Sequence, residues 1–152
     1  MSGTVDVVVV GGGIAGSALA GKLAGAGLVV LVLERQERFR DRVRGEAMMP
    51  WGVLEARRLG VDQLLLDAGG GFISQAVPYD EVVTPSEAEG QALPLGMFAE
   101  GVAGFLAVGH PQASEALAVH AAEAGATVLR GVGMEWRLPC ASSPERISPH
   151  SR

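Results

Sequence analysis

The stretch that most constrains this chain runs from Val5 to Glu34, VDVVVVGGGIAGSALAGKLAGAGLVVLVLE. Its pattern predicts a strand, a tight glycine turn, a helix and a second strand ending on an acid. Val5 to Val10 is short, apolar and β-branched, as expected of a strand buried on both faces. Gly11, Gly13 and Gly16 supply the spacing G-x-G-x-x-G where strand must become helix. Such glycines serve a tight turn, close approach of a pyrophosphate to the backbone, and close helix–strand packing. A helix starting there aims free N–H groups and a partial positive charge at an anion. Glu34, 18 residues after Gly16, stands where a carboxylate accepts hydrogen bonds from a ribose. Ala20 keeps the helix slim against the sheet, and Gly27 ends it before the second strand. The uncharged run Val7 to Gly21 is too short to span a bilayer, and Lys22 interrupts it.

The rest of the composition narrows the class. A chain of 152 residues has room for one domain with a real core. A hydrophobic content of 48% argues against disorder, and a net charge of −5 against nucleic acid as the main partner. The single cysteine, Cys140, excludes an intramolecular disulfide and disfavours a cysteine-based metal site. No targeting segment is visible, which makes the cytoplasm the default compartment.

After Glu34, Arg35, Arg38, Arg40, Arg42 and Arg44 crowd into ten residues of an otherwise acidic chain. Arg38, Arg40 and Arg42 read as a solvated face. Arg44 differs because Gly45 follows it, and a guanidinium beside such a turn suits a phosphate or a flavin edge. Pro50 and Gly60 bracket a helix over Trp51–Leu59, with Trp51 as a packing residue, and a second short helix follows over Asp62–Ala68. From about 72 to 108 the pattern turns to β. FISQAVPYDEV and GFLAVGH read as strands, with turn signals in TPSEAEGQALPLGM between them. Pro111 then starts a helix that Gly125 stops, and Thr127–Val132 is the next strand, added in parallel to the first sheet. His110 reads as a helix cap and His120 as an ordinary, partly buried histidine. Residues 135–152 hold prolines and serines without periodicity and read as a disordered tail.

With these residues in view, the chain resembles the FAD-dependent monooxygenases and oxidoreductases of the hydroxybenzoate-hydroxylase-like group. The resemblance rests on GGGIAGSALAGKLAGAG, VLVLER, RDRVRGEAMMPWGVLEARRLG and HPQASEALAVHAAEAGATVLRGV, and covers most of residues 5–133. It implies an α/β fold, a Rossmann-like parallel sheet interrupted by an antiparallel excursion, with residues 1–134 as a partial FAD-binding domain. By position, Gly11, Gly13, Ile14, Ala15 and Gly16 would line the FAD pyrophosphate and Glu34 would bind the adenosine ribose. Arg35 would lie near the adenine and Arg44 near the ribityl-pyrophosphate or isoalloxazine. Gln112 occupies the helix-start position where such proteins often place arginine or glutamine toward the FAD.

The same resemblance implies NAD(P)H as reductant and a small organic molecule as substrate. Members of that group are much longer, and later Asp-Gly and Gly-Asp segments complete their FAD site. This sequence contains no Gly-Asp dipeptide, so it reads as an N-terminal portion. The residues themselves name no catalytic group: there is no Ser-His-Asp layout and no H-E-x-x-H. Two alternatives stand beside the flavoenzyme. One is an NAD-binding module, which the glycine turn and Glu34 suit equally well. The other is a catalytically silent fragment that self-associates through an uncovered sheet edge.

Overall fold

The computed structural model describes residues 4–41 and 47–134. Strands β1 (Val7–Val10), β2 (Val30–Glu34) and β8 (Thr127–Arg130) form a parallel sheet in the order β1-β2-β8. Helix α1 (Ile14–Gly25) leaves β1, and helix α5 (His110–Glu123) leads into β8. Both helices cover the same face, where Val9, Val30 and Val32 are buried with Ala20, Ala24 and Ala121. Small residues permit that closeness: a Cβ on Gly21 would stand 3.0 Å from the His120 ring and 3.5 Å from the Ala121 Cα. Each helix runs back along parallel strands, so both N-termini point to the end of the sheet where ligands of α/β folds bind.

The sequence pattern of β1 suggests burial on both faces, and the structure corrects this. Val8 and Val10 are 48% and 53% exposed, and Leu129 is 43% exposed. In a parallel sheet, residues paired in register share a face, so Val10, Leu33 and Leu129 form one row on the side away from α1 and α5. An apolar run reports that a strand tolerates burial; it does not report how many faces are covered.

A second core lies beyond the sheet. Strands β3 (Ala47–Met48), β4 (Gly71–Ile73) and β7 (Phe105–Ala107) pair antiparallel in the order β3-β7-β4. Met48 of β3 and Leu106 of β7 pack with α2 (Pro50–Leu59), α3 (Asp62–Asp67) and α5 around Val53, Leu65 and Leu117, which like Leu106 are almost completely buried. Helix α2 starts on Pro50 and stops at Gly60, whose φ of +77° only glycine adopts readily. Trp51 does not pack as expected. It is 55% exposed, because Val53 and Ala56 take the core side of the helix.

The β excursion exists, but in shorter pieces than the sequence suggests. The strand expected over 72–82 ends at Ala76, as β4 and then β5 (Gln75–Ala76), ahead of Pro78. β5 pairs with β6 (Leu93–Pro94) in a separate two-stranded ribbon. The stretch read as turns holds helix α4 (Pro85–Gly90) and a 3-10 turn over Leu95–Phe98. Thr84 caps α4 reciprocally: its Oγ1 accepts from the Glu87 N–H, and Glu87 Oε2 accepts from the Thr84 N–H at 2.9 Å. His110 is the first residue of α5 and does not cap it. Gly109 holds that position with no side-chain bond. Among the described residues, no helix is long and apolar enough to cross a membrane. The tail expected over 135–152 lies outside the described residues.

Candidate functional site

The glycine turn between β1 and α1 is locked from three sides. Gly11, at φ +102°, donates its N–H to Leu33 O at 2.8 Å. The Gly12 N–H donates to Glu34 Oε2 at 2.7 Å. The Gly12 carbonyl accepts from Ser17 Oγ at 2.7 Å. Glu34 spends its second carboxylate oxygen on the Gln36 N–H at 2.8 Å and is 6% exposed. A buried carboxylate is costly unless hydrogen-bonded, and these two bonds satisfy it and fix its direction.

The glycines divide their work as the spacing predicts. A Cβ on Gly16 would collide with the Gly11 carbonyl oxygen and stand 3.2 Å from Val9 Cγ1, so the third glycine permits close helix packing. A Cβ on Gly13 would meet nothing within 4 Å. Its backbone is extended, at φ −72° and ψ −166°, so neither space nor conformation inside the protein demands glycine there. What remains is the approach of a ligand. Gly13 is also the N-cap of α1, with no side-chain cap and no acid in the first turn. No capping side chain or first-turn acid offsets the positive end of α1. An open cradle, an uncapped helix start and a buried carboxylate beside them fit an adenosine diphosphate.

Next to the turn lies a cleft of about 340 Å³ between the ends of β1 and β2 and the exit of β8. Gly11, Glu34, Arg35, Gln36 and Gly133 are on its wall. The Val132 N–H donates to Glu34 O at 3.0 Å and fixes the exit strand alongside. The structure therefore brings Gly11, Glu34 and Arg35 around one cleft, with Gly13, Ile14, Ala15 and Gly16 at the adjoining helix start. Gln112 is elsewhere. It is exposed and lines a separate cavity of about 810 Å³ with Arg38, Phe39, Glu115 and Arg130. Arg44, with Gly45 and Glu46, lies outside the described residues. Sequence reasoning missed Gly12, Ser17 and Gln36, whose groups fix the turn and the acid. A serine on the buried side of a small-residue helix was the available signal.

The sequence profile of the FAD binding domain family matches residues 4–135. The chain belongs to that family. FAD is accordingly the cofactor of the fold, and the glycine turn and Glu34 are suited to its adenosine diphosphate. Among curated relatives, the squalene monooxygenase of Eremothecium gossypii is 38% identical over 94 residues, 54% of this chain and 19% of that protein. Squalene monooxygenase SE1 of Panax ginseng is 45% identical over 62 residues, 41% of this chain and 12% of that protein. The solved structure of OxyS, the anhydrotetracycline hydroxylase of Streptomyces rimosus, is similar with a TM-score of 0.62 and 25% identity. That match covers 83% of this chain and 24% of OxyS. The matches thus span between about an eighth and a quarter of these three proteins.

Proposed function

We propose that this FAD-binding domain serves a flavin-dependent monooxygenase acting on a small organic molecule, with NAD(P)H as the reductant. The observation that carries the reading is the Glu34 carboxylate fixed on the Gly12 N–H beside an open Gly13. Relatives named as squalene monooxygenases and a similar structure named as a hydroxylase support the reaction class. FAD, when bound, supplies the redox chemistry between a nicotinamide donor, oxygen and the substrate. This chain's own residues bind and orient. The first-turn N–H groups of α1 receive the diphosphate, Glu34 accepts from the adenosine ribose, and Arg35 and Gln36 wall the adenine. Arg44 and Gln112 are proposed toward the flavin half on resemblance.

Titrating the purified chain with FAD and, separately, with NADH tests the cofactor assignment. Saturable FAD binding that survives gel filtration is the expected result. Saturable NADH binding with none for FAD would replace the reading with an NAD-binding module.

One observation favours a second role for the isolated chain. The outer face with Val8, Val10 and Leu129 leaves apolar surface open on the parallel sheet, which suits self-association of a catalytically silent chain. Light scattering decides it: a monomer with full NAD(P)H oxidation would exclude that role.

A further inference from the structure

Arg130 ends β8 in register with Glu34. Its Nη1 donates to Glu115 Oε2 at 2.8 Å and its Nη2 to Glu115 Oε1 at 2.9 Å. Its Cζ lies 4.9 Å from the centroid of the Phe39 ring. One side chain thus ties β8 to α5 and to the segment that follows Glu34. That segment, 35–41, has no helix or strand bonds of its own. Its position depends on side-chain contacts of this kind. A second contact lies beside the first: a Cβ on Gly131 would stand 3.2 Å from Glu37 Cγ, so Glu37 rests against the β8 exit.

The same segment carries both walls that matter. Arg35 and Gln36 line the 340 Å³ cleft on one side, and Arg38 and Phe39 line the 810 Å³ cavity on the other. The Gln36 N–H is also one of the two donors that orient the Glu34 carboxylate. Contacts run from Glu115 through Arg130 to Phe39, and the backbone of the segment leads from Phe39 back to Gln36, whose N–H is bonded to the Glu34 carboxylate that also holds the Gly12 N–H.

We propose that Arg130 is a positioning residue for the adenosine end of the cofactor. It clamps segment 35–41 against α5 and so holds Arg35, Gln36 and Glu34 in their binding geometry. The proposal rests on the reading that the adenosine of FAD occupies the 340 Å³ cleft. The task suits arginine because a planar fork meets one carboxylate with two bonds while its flat face lies on a ring. A lysine keeps the charge and loses both geometries.

The test uses the full chain with FAD and ADP as separate probes, ADP being measured by competition. Arg130→Lys and Phe39→Leu are the two variants, so a folding failure in one leaves the other. The expected result is a rise in Kd of about tenfold for FAD in each, the scale of a stacked cation on an aromatic ring. ADP weakens by the same factor, because the disturbed wall is on the adenosine side. Amide exchange accelerates across 35–41, while that of α1 and the melting temperature stay near wild type. Unchanged FAD affinity in both variants overturns the clamp. So does a loss for FAD that ADP does not share. A wild-type chain that binds neither probe overturns the cofactor reading and the clamp with it, whereas wild-type binding with unaffected variants removes the clamp alone.

Discussion

The glycine-turn half and the excursion between β4 and β7 are built differently. From Val7 to Glu34 the backbone is held by small buried residues and short bonds. Ser17, Ala20 and Val32 have no exposed surface, and the turn's amides are fixed at 2.7 to 2.8 Å. In the excursion, β4, β5 and β6 are exposed along their whole length. Phe72, Ile73, Tyr79 and Val82 lie open, and burial is confined to points such as Ala88, Leu95, Val102 and Leu106. The contrast follows from what each region must do. A turn that receives a diphosphate through backbone N–H groups needs those groups placed to a fraction of an ångström. The excursion needs only to leave the sheet and return.

The largest expected break in that comparison comes at Gly16. In Gly16→Ala the new Cβ meets the Gly11 carbonyl oxygen, which is backbone and cannot swing away. A loss of about 3 kcal/mol in a denaturant melt, together with loss of FAD binding, is the expected outcome. The matching change in the excursion is Gly90→Ala, where nothing lies within 4 Å. Its melt should stay within about 0.5 kcal/mol of wild type. Equal losses would erase the distinction between the two regions.

The next pair contrasts burial at one chemistry. Leu117→Ala on α5 removes a side chain with no exposed surface and should cost about 3 kcal/mol. Leu93→Ala in β6, at 49% exposure, should cost less than about 0.5 kcal/mol by the same melt.

The smallest effect is acid-dependent and local. The Thr84 hydroxyl first, and its backbone N–H second, hold the Glu87 carboxyl below its ordinary range. A carboxyl lowered by folding stabilises the fold above its unfolded pKa and ceases to do so as pH falls through the folded one. The protection factors of α4 amides, corrected for the intrinsic pH dependence of exchange, should therefore fall in acid, below the ordinary carboxylate range, without a shift in the global melt. Thr84→Ala should show low protection already at neutral pH and lose that acid dependence. Protection in wild-type α4 that does not change with pH would remove the capping box as its anchor.

These regions also differ in how legibly the sequence wrote them. The βαβ start was readable because glycine spacing, an apolar run and a terminal acid all point to one structure. Helix α2 was readable from Pro50 and Gly60, and α5 from Pro111 and Gly125. Within the excursion, the strand-like run of Phe72 to Val82 overstated the strand, since exposed short strands exert little selection on pattern. Helix α4 was missed although Thr84 and Glu87 stand at capping-box spacing, because the hydrophilic run SEAEG lacks an apolar stripe. Gln112 stands at the start of α5, apart from the cleft beside Glu34, and its place toward the flavin half rests on resemblance. The open face with Val8, Val10 and Leu129 was invisible because valine runs look alike whether one face is covered or two.

The α1 start, the Gly13 cradle and Glu34 are proposed to receive the adenosine diphosphate of FAD. Gly13→Ala tests it most directly, because the added methyl meets no protein atom within 4 Å and the backbone there is extended. The predicted result is a melting temperature near wild type with FAD affinity lower by about a hundredfold, from intrusion on a backbone-to-pyrophosphate contact. A folded Gly13→Ala chain that binds FAD as tightly as wild type would contradict the claim.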